Sequence, residues 1–231
     1  MAGTLYIVAT PIGNLKDITL RALETLKVVA FIACEDTRHT VKLLQHYEIR
    51  KPLVSLHDHN ERAKTPELVT RLKSGESLAL VSDGGTPLIS DPGWRLVHEA
   101  IEAGVIVTWI PGPTALIGAL VLSGLPTDRF VFEGFLPPKS AARRKRLEAL
   151  KHETRTVVLY ESPHRLLKTL ADIREVLGDV RVACARELTK MFEEVKRGTA
   201  SELLAHFERH VPRGEFVLVM SNKRPATSDK A

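Results

Sequence analysis

Residues Ala79–Gly93 read Ala-Leu-Val-Ser-Asp-Gly-Gly-Thr-Pro-Leu-Ile-Ser-Asp-Pro-Gly, so that an apolar strand runs directly into a carboxylate and two glycines. Gly84 and Gly85 permit positive φ and close approach of another molecule to the backbone, whereas Pro87 and Pro92 fix φ and keep the loop from pairing again. At the carboxyl end of a parallel strand, such a loop is where small ligands usually bind. The stretch therefore predicts a binding loop, and an ordinary structural turn is the alternative.

Apolar strands alternate with segments of helical period on both sides of this loop. Such alternation predicts a mainly parallel sheet that is covered by helices on both faces. The pattern breaks at Pro111-Gly112-Pro113, where we place a domain boundary. The strand-like runs before the break are Leu5–Ala9, Val28–Cys34, Leu53–Ser55, Leu78–Val81 and Val105–Ile110.

After the break comes a charge-free helix, Thr114–Ser123, and then a series of short strands separated by turns, which predicts a second, mixed sheet. We therefore predict two α/β domains, residues 1–112 and 113–221, followed by a disordered polar tail over residues 222–231. The strand-like runs are Phe130–Glu133, Thr156–Tyr160, Val180–Ala185, Glu194–Arg197 and Phe216–Ser221. The helical segments are Arg143–Lys151, Leu166–Leu177 and Ser201–Phe207.

Composition narrows the class of protein. The longest charge-free apolar run, residues 111–126, is too short and too rich in Gly and Pro to span a bilayer, and no basic segment precedes the first strand as in a signal peptide. These features predict a cytoplasmic protein without a membrane partner, in which Cys34 and Cys184 are buried structural thiols. No G-x-G-x-x-G follows the first strand and no G-x-x-x-x-G-K-[ST] occurs, which argues against a standard dehydrogenase or NTPase.

Charge is divided unevenly along the chain. Residues 1–112 carry 12 Lys and Arg against 13 Asp and Glu, whereas residues 113–231 carry 21 against 15. A basic second half is compatible with a nucleic-acid partner, although many basic proteins bind none.

Four further polar segments follow predicted strands and are candidates for a site. In the segment Cys34–Arg38, Glu35 and Asp36 can equally be helix caps. In the segment Ser55–Glu61, His57 and His59 supply only two metal ligands, so we predict contact with substrate or phosphate and no metal. The charged segment Arg186–Glu194 can line a cleft or form solvated ion pairs. The four segments are Ala9–Leu15, Cys34–Arg38, Ser55–Glu61 and Arg186–Glu194.

Taken in order, seven motifs resemble those of the tetrapyrrole methylase superfamily and, within it, the ribosomal RNA small subunit methyltransferase I family. The resemblance covers the chain from Leu5 to Ser221, and Gly84 stands where the family usually has alanine. The motifs are Thr10-Pro11-Ile12-Gly13-Asn14-Leu15, Glu35-Asp36-Thr37-Arg38, His57 with His59-Asn60-Glu61, Ser82-Asp83-Gly84-Gly85-Thr86-Pro87, Pro111-Gly112-Pro113, Tyr160-Glu161-Ser162-Pro163-His164-Arg165 and Arg186-Glu187-Leu188-Thr189-Lys190.

The resemblance implies two α/β domains of the tetrapyrrole methylase type, with S-adenosylmethionine in the cleft between them, in an enzyme that works as a homodimer. The implied substrate is a cytidine ribose 2′-hydroxyl of 16S rRNA in the small ribosomal subunit. The position of Asp83 after a strand, at a glycine turn, independently favours a cofactor contact. The cofactor contacts that the motifs imply are Pro11, Asp83, Thr86, Thr114, Ala115, Tyr160, Ala185 and Glu215.

Methyl transfer to a hydroxyl needs positioning above all, together with a base that accepts the hydroxyl proton. Glu35, Asp36, His57 and Lys190 are the candidates for this base. We rank Asp36 and Lys190 first as catalytic residues because both lie in family motifs beside strand ends.

Contacts with RNA are expected from a basic run in the second half. Lys139 and Arg143-Arg144-Lys145-Arg146 can neutralise phosphates and so position RNA, and a solvated helix face is the alternative. From the first half, we add Arg38, His57 and His59 to the predicted RNA contacts.

Two other functions stay open at this point. One is a methylase of the same fold that acts on a tetrapyrrole or a modified histidine, which the basic second half disfavours. The other is a non-catalytic, ribosome-associated RNA-binding protein, which the acidic turn at Asp83 disfavours.

Overall fold

The structure, a computed structural model, describes residues 2–222 and comprises two compact units, each with a five-stranded sheet. The first unit ends at Thr114 and the second begins at Ala115. Helices and strands in both units confirm the predicted α/β class with two sheets. Asn222, the first residue of the predicted tail, donates from Nδ2 to the carbonyl oxygens of Leu150 and Glu153. The rest of that tail, residues 223–231, lies outside the described residues.

The first unit contains the predicted parallel sheet, with strand order β3-β2-β4-β1-β5. A short 3₁₀ turn over Leu15–Asp17 precedes the first helix. The strands are β1 (Thr4–Val8), β2 (Phe31–Cys34), β3 (Leu53–Ser55), β4 (Leu78–Val81) and β5 (Ile106–Ile110). The helices are α1 (Leu20–Val28), α2 (Thr37–His46), α3 (Glu61–Lys73) and α4 (Trp94–Glu102).

Helices cover both faces of this sheet, which explains why β2 and β4 are apolar throughout. On one face, Leu26 of α1 and Leu44 of α2 pack with Ile32. On the other face, Leu72 of α3 and Leu96 of α4 pack in a separate cluster. Every residue of β2 and β4 is consequently buried.

Strand boundaries differ from the predicted ones by at most two residues, except at the start of β2, where the difference is three. Val28 was expected to begin the second strand, but it is the last residue of α1, and β2 starts at Phe31. Val28 is exposed, whereas every residue of β2 is buried, so this apolar run is divided between the last turn of α1 and the strand.

The second unit has the mixed sheet that the sequence predicted, with strand order β6-β7-β10-β8-β9. Only β6 and β7 are parallel, and the other neighbours are antiparallel. The strands are β6 (Phe130–Phe135), β7 (Thr156–Glu161), β8 (Arg181–Arg186), β9 (Glu194–Thr199) and β10 (Phe216–Ser221). The helices are α5 (Ala115–Leu122), α6 (Ser140–Ala149), α7 (Leu166–Leu177) and α8 (Ala200–Arg209).

Two further expectations concern the core and the membrane. Cys34 and Cys184 are free and buried, as predicted for structural thiols, and burial raises the pKa of both. Within residues 2–222, no helix has the length and apolar character needed to cross a membrane.

Helix α4 is capped by a side chain from another helix. Its own N-cap, Gly93, has φ of 124° and no side chain to accept a hydrogen bond. Instead, Oε1 of Glu61, in the first turn of α3, accepts from the backbone N–H groups of Gly93, Arg95 and Leu96 at 3.1, 2.8 and 3.3 Å. This carboxylate therefore fixes α3 and α4 to each other and satisfies the N-terminus of α4.

We predict that Glu61→Ala lowers the free energy of unfolding by about 2 kcal/mol, because three backbone donors lose their acceptor. The matched control is Glu67→Ala, which removes an exposed carboxylate of the same helix that pairs with Lys64 and should change stability by less than about 0.5 kcal/mol. Urea unfolding of both variants measures the difference. Equal stability of the two variants would show that Glu61 does not act as a cap.

Candidate functional site

The loops after β1 and β4 are joined by a pair of backbone hydrogen bonds. Thr10 donates to the carbonyl oxygen of Gly85 at 2.8 Å, and Gly85 donates back to that of Thr10 at 2.9 Å. Gly85 has φ of 88°, a conformation that favours glycine. The hydroxyl of Thr10 also donates to the carbonyl oxygen of Ser82 at 3.3 Å. The predicted binding loop is therefore held in one conformation at the carboxyl edge of the sheet.

The loop after β5 lies against the same two loops. A Cβ atom added to Gly112 would lie 2.9 Å from Cβ of Ala9, so the backbones approach more closely than any other residue allows. The hydroxyl of Thr86 donates to the carbonyl oxygen of Pro113 at 3.2 Å. A Cβ atom on Gly84 would lie 3.2 Å from the carbonyl oxygen of Pro11. The structure thus brings together Pro11, Asp83 and Thr86, three predicted cofactor contacts, with Pro113, which directly precedes the predicted contact Thr114.

Asp83 connects this loop to the end of β2. Its Oδ1 accepts from the backbone N–H of Asp36 at 3.2 Å. Asp36 itself caps α2, accepting from the backbone N–H of Arg38 at 2.8 Å, and its carboxylate pairs with the Arg38 guanidinium at 2.7 Å. Hydrogen bonds from the Arg38 side chain and backbone lower the pKa of Asp36 to about 2. Asp36 is therefore ionised near neutral pH and is a weak proton acceptor.

Two other carboxyl groups at this edge have raised pKa values. Burial raises the pKa of Glu35, and the charges of Asp83 and Asp91 raise it further. Burial, followed by the charges of Asp83 and Asp58, raises the pKa of Asp91 to about 6, although a hydrogen bond with Ser82 opposes the shift. We call Glu35, Asp83 and Asp91 the acidic group of the first unit. Its members repel one another at neutral pH.

Asp91 is a residue that sequence reasoning missed. It lies in the same glycine- and proline-marked loop as Asp83, but it was not singled out because the sequence does not show how this loop folds back. Leu88 and Ser90 have φ of 73° and 67°, which is unusual for residues with a side chain and is typical of strained backbone at functional sites.

The raised pKa of Asp91 predicts a pH-dependent stability. Between the ordinary aspartate pKa of about 3.9 and about 6, the folded protein binds more protons than the unfolded chain, so stability should fall as pH rises through this window. Asp91→Asn should flatten that fall and raise the urea midpoint at pH 7. Urea titrations from pH 4 to 7 test this, with Asp128→Asn, an exposed aspartate, as the control. An unchanged pH profile in Asp91→Asn would contradict the burial and repulsion described here.

The loop after β3 holds its two histidines without a metal-ligand arrangement. Asn60 accepts from the backbone N–H of His57 at 2.9 Å and donates to the carbonyl oxygen of Ser55 at 3.1 Å, which fixes the turn. The rings of His57 and His59 are 6.0 Å apart. Among the residues that the structure describes, no group of three or more His, Cys, Asp or Glu side chains is placed to hold a metal ion. The contact of both histidines with RNA stays a prediction.

In the second unit, Lys190 is held by two glutamates. Its Nζ lies 3.0 Å from Oε1 of Glu187 and 2.7 Å from Oε2 of Glu215. Burial by itself would lower the pKa of Lys190, but the hydrogen bonds to Glu215 and Glu187 outweigh it and raise the pKa. Lys190 is therefore a cation near neutral pH and not a proton acceptor. Glu215, a predicted cofactor contact, is therefore one of the two carboxylates that pair with Lys190.

The other predicted cofactor contacts of the second unit lie on neighbouring strands. Tyr160 of β7 and Ala185 of β8 are both opposite Val217 of β10. The ring of Tyr160 packs against Phe132 and Phe135, with centroids 5.0 and 5.6 Å apart. Ala185 is buried, so neither its backbone nor its side chain is open to solvent. Ala115 is the first residue of α5.

The basic run on α6 differs most from its prediction. Arg143 is only 2% exposed, and its Nε donates to Oδ2 of Asp172 at 2.7 Å, so the expected RNA contact of Arg143 is corrected to a buried ion pair. Arg144 also pairs with Asp172, and with Glu175. Arg146 pairs with Glu133 at 2.6 Å. Within residues 2–222, Lys139 and Lys145 are the cations of this run that make no ion pair.

The buried pair predicts a stability effect. Arg143→Ala should lower the free energy of unfolding by about 3 kcal/mol, because it leaves the Asp172 carboxylate buried with only Arg144 and Ser140 as partners. Lys145→Ala, on the exposed side of the same helix, is the control and should change stability by less than about 0.5 kcal/mol. Thermal or urea unfolding measures both. If the two variants were equally stable, Arg143 would be a surface cation after all.

Comparison with known proteins gives the class to which this fold belongs. A family model described as tetrapyrrole (corrin/porphyrin) methylases matches residues 4–204. A diphthine synthase has a similar structure, with a TM-score of 0.73 and 17% identity over 95% of this chain and 90% of that one. Uroporphyrin-III C-methyltransferase of Thermus thermophilus is also similar, with a TM-score of 0.63 and 23% identity over 95% of this chain and 94% of that one. At these identities the two structures establish the fold alone.

Sequence relatives are more specific. Three proteins named ribosomal RNA small subunit methyltransferase I are 55% identical in Synechocystis, 53% identical in Escherichia coli and 50% identical in Thermotoga maritima. These matches cover 96%, 98% and 96% of this chain, and 80%, 80% and 99% of the respective relatives. The chain therefore belongs to the ribosomal RNA small subunit methyltransferase I family of the tetrapyrrole methylases, as its motifs predicted.

Proposed function

We propose that this protein transfers a methyl group from S-adenosylmethionine to the ribose 2′-hydroxyl of a cytidine in 16S rRNA, within the small ribosomal subunit. Family membership supports methyl transfer to small-subunit rRNA, and the cytidine 2′-hydroxyl is the finer step of the proposal. The observation that carries the cofactor assignment is the fixed Asp83–Gly85 loop, which meets the loops after β1 and β5 at one edge of the sheet.

The residues of this edge suit S-adenosylmethionine in accessible backbone and in charge. Gly84 is exposed and leaves its backbone open to a ligand, whereas Gly85 is buried and lets the loop pack closely against Ile12 and Pro113. The acidic group suits a ligand that carries a sulfonium and an ammonium, because a nearby cation relieves the repulsion among carboxylates. Thr86 and Thr114 complete the proposed contacts of the first unit. Ala115, Tyr160, Ala185 and Glu215 are the proposed contacts of the second.

The bound cofactor supplies a methyl group on a positively charged sulfur, which an oxygen can displace in line. The chain has to position the ribose oxygen and accept its proton. Asp36, with a pKa of about 2, and Lys190, a paired cation, are poorly suited to accept a proton near neutral pH. Glu35 and Asp91 have raised pKa values and lie beside Asp83, so we propose them as proton acceptors ahead of the other two. In this proposal Lys190 acts as a fixed positive charge.

Three further parts of the proposal come from the sequence and from the family. We propose that the protein works as a homodimer, that it needs no metal ion, and that it acts in the cytoplasm, where an enzyme of small subunits meets its substrate. The support for metal-free transfer is chemical, because the sulfonium already activates the methyl group and the base is a carboxylate.

We predict that Asp83→Asn weakens S-adenosylmethionine binding by about tenfold or more, because a charge-assisted contact is worth ~1.5–3 kcal/mol. The fold should be unaffected, since Oδ1 of an asparagine can still accept from the N–H of Asp36. Isothermal titration calorimetry measures the affinity. Glu24→Gln, which changes an exposed carboxylate of α1, is the control and should bind as the wild type does. Unchanged affinity in folded Asp83→Asn would remove Asp83 from the cofactor site.

The reaction itself is tested with S-adenosylmethionine labelled in its methyl group. Small subunits that lack the modification should take up label, and nucleoside analysis should recover it as 2′-O-methylcytidine. Label in a base, or in a free tetrapyrrole or protein but not in rRNA, would overturn the proposal. Binding of small subunits without any binding of S-adenosylmethionine would instead indicate a non-catalytic RNA-binding protein.

A further inference from the structure

The first unit has a surface where cations are concentrated and free of partners. Helix α2 contains no Asp or Glu between Thr37 and His46, and Lys42 on its exposed side makes no ion pair with any described residue. Arg50 and Lys51, just after the helix, are equally unpaired within residues 2–222. Acidic residues slightly outnumber basic ones in the first half of the chain, so this concentration is local.

The row of cations begins at the candidate site. Helix α2 starts directly after Asp36, at the carboxyl end of β2. Lys42 lies one helical turn beyond Arg38, about 6 Å along the same side of the helix. Because Arg38 is paired with Asp36, Lys42 is the first free positive charge along this row.

The end of α2 turns the chain so that Arg50 and Lys51 extend the same surface. Glu48 has φ of 56°, its N–H donates to the carbonyl oxygen of Gln45, and the N–H of Ile49 donates to that of Leu44 at 2.8 Å. This is a Schellman motif, and buried Ile49 anchors it in the core. The turn is therefore rigid, and Arg50 follows it at a fixed place.

A groove of about 360 Å³ lies beside these cations, between α2 and β3. Its apolar wall comes from Val41, Leu44, Ile49 and Leu53, and its polar rim includes Arg50 and Lys51. An apolar floor with a cationic rim matches the two surfaces of a single-stranded nucleotide, namely a base with apolar faces and a phosphate. Glu48 is the acidic residue nearest in sequence, and the three cations outnumber it.

We propose that Lys42, Arg50, Lys51 and this groove, together the α2 face, bind a single-stranded segment of the rRNA substrate a few nucleotides away from the methylated one, because α2 runs about 15 Å from the carboxyl edge of the sheet towards the amino edge, where β3 begins. The cations contact phosphates, and a base lies in the groove, where the Arg50 guanidinium can stack on it. This inference rests on the proposed function. It assigns to the first unit an RNA contact for which the arginines of α6, which are paired with carboxylates, are poorly available.

The test compares two double variants that each lose one Lys and one Arg. Lys42→Ala/Arg50→Ala changes the α2 face, and Arg62→Ala/Lys73→Ala removes two exposed, unpaired cations of α3 on the other side of the sheet. Affinity for labelled small subunits is measured by filter binding at several salt concentrations, and S-adenosylmethionine affinity by calorimetry. For the α2 variant we expect a loss of affinity on the order of tenfold and a log–log salt slope that is smaller by about 1.4, since each phosphate contact on a single strand contributes ~0.7. The α3 variant should keep the wild-type slope, and both should bind S-adenosylmethionine as the wild type does.

Each alternative outcome decides a different point. A wild-type slope in the α2 variant, with methyl transfer by the wild type intact, would overturn the α2 face and leave the proposed function standing. Equal losses in both variants would show a general effect of net charge and would also overturn it. If the wild type binds small subunits but does not methylate them, while only the α2 variant has the reduced slope, the proposed function fails and the α2 face stands.

Discussion

The two hydrogen bonds between Thr10 and Gly85 are the constraint on which the candidate site depends. They join the loops after two neighbouring strands, and they require Gly85 to adopt a positive φ. The loop after β5 is then packed against Ala9 through Gly112, with no room for a side chain. Three loops with little freedom of their own thus give a ligand a preformed surface, which lowers the entropic cost of binding.

This arrangement has a cost in electrostatic free energy. Burial at this edge raises the pKa of Glu35, at the end of β2, and of Asp91, in the loop after β4, and the charge of Asp83 raises both further. Such repulsion destabilises the empty protein at neutral pH, and a cationic ligand relieves it. A site that is locally unfavourable until it is filled is common where function and stability compete.

Much of the fold could be predicted from the sequence because it follows from short-range patterns. The apolar runs of β2 and β4 indicated a sheet buried on both faces, and Gly-Gly-Thr-Pro after β4 indicated the binding loop. The predicted start of β2 at Val28 was wrong because one apolar run covers both the exposed end of α1 and the buried strand. Long-range geometry was not predictable in the same way, since the sequence does not show that the loop from Asp83 to Asp91 has positive φ angles at Leu88 and Ser90.

The basic run on α6 shows how charge composition can mislead. Arg143 and Leu147 are one helical turn apart on the buried side, so the helical period already indicated that Arg143 faces inward. What the sequence could not show is the partner, Asp172, which comes from α7, 29 residues further on. Conversely, the cations of the proposed α2 face, Lys42, Arg50 and Lys51, are separated in sequence by the end of α2 and the turn that follows it.

The most direct measurement is a crystal structure of the protein with S-adenosylhomocysteine, the unreactive product of the cofactor. We predict that the bound molecule lies at the carboxyl edge of the first sheet, with hydrogen bonds to the Asp83–Thr86 loop and contact with Pro11. A molecule bound elsewhere on the first unit, or making no contact with this loop, would contradict the assignment of the fixed loop as the cofactor site.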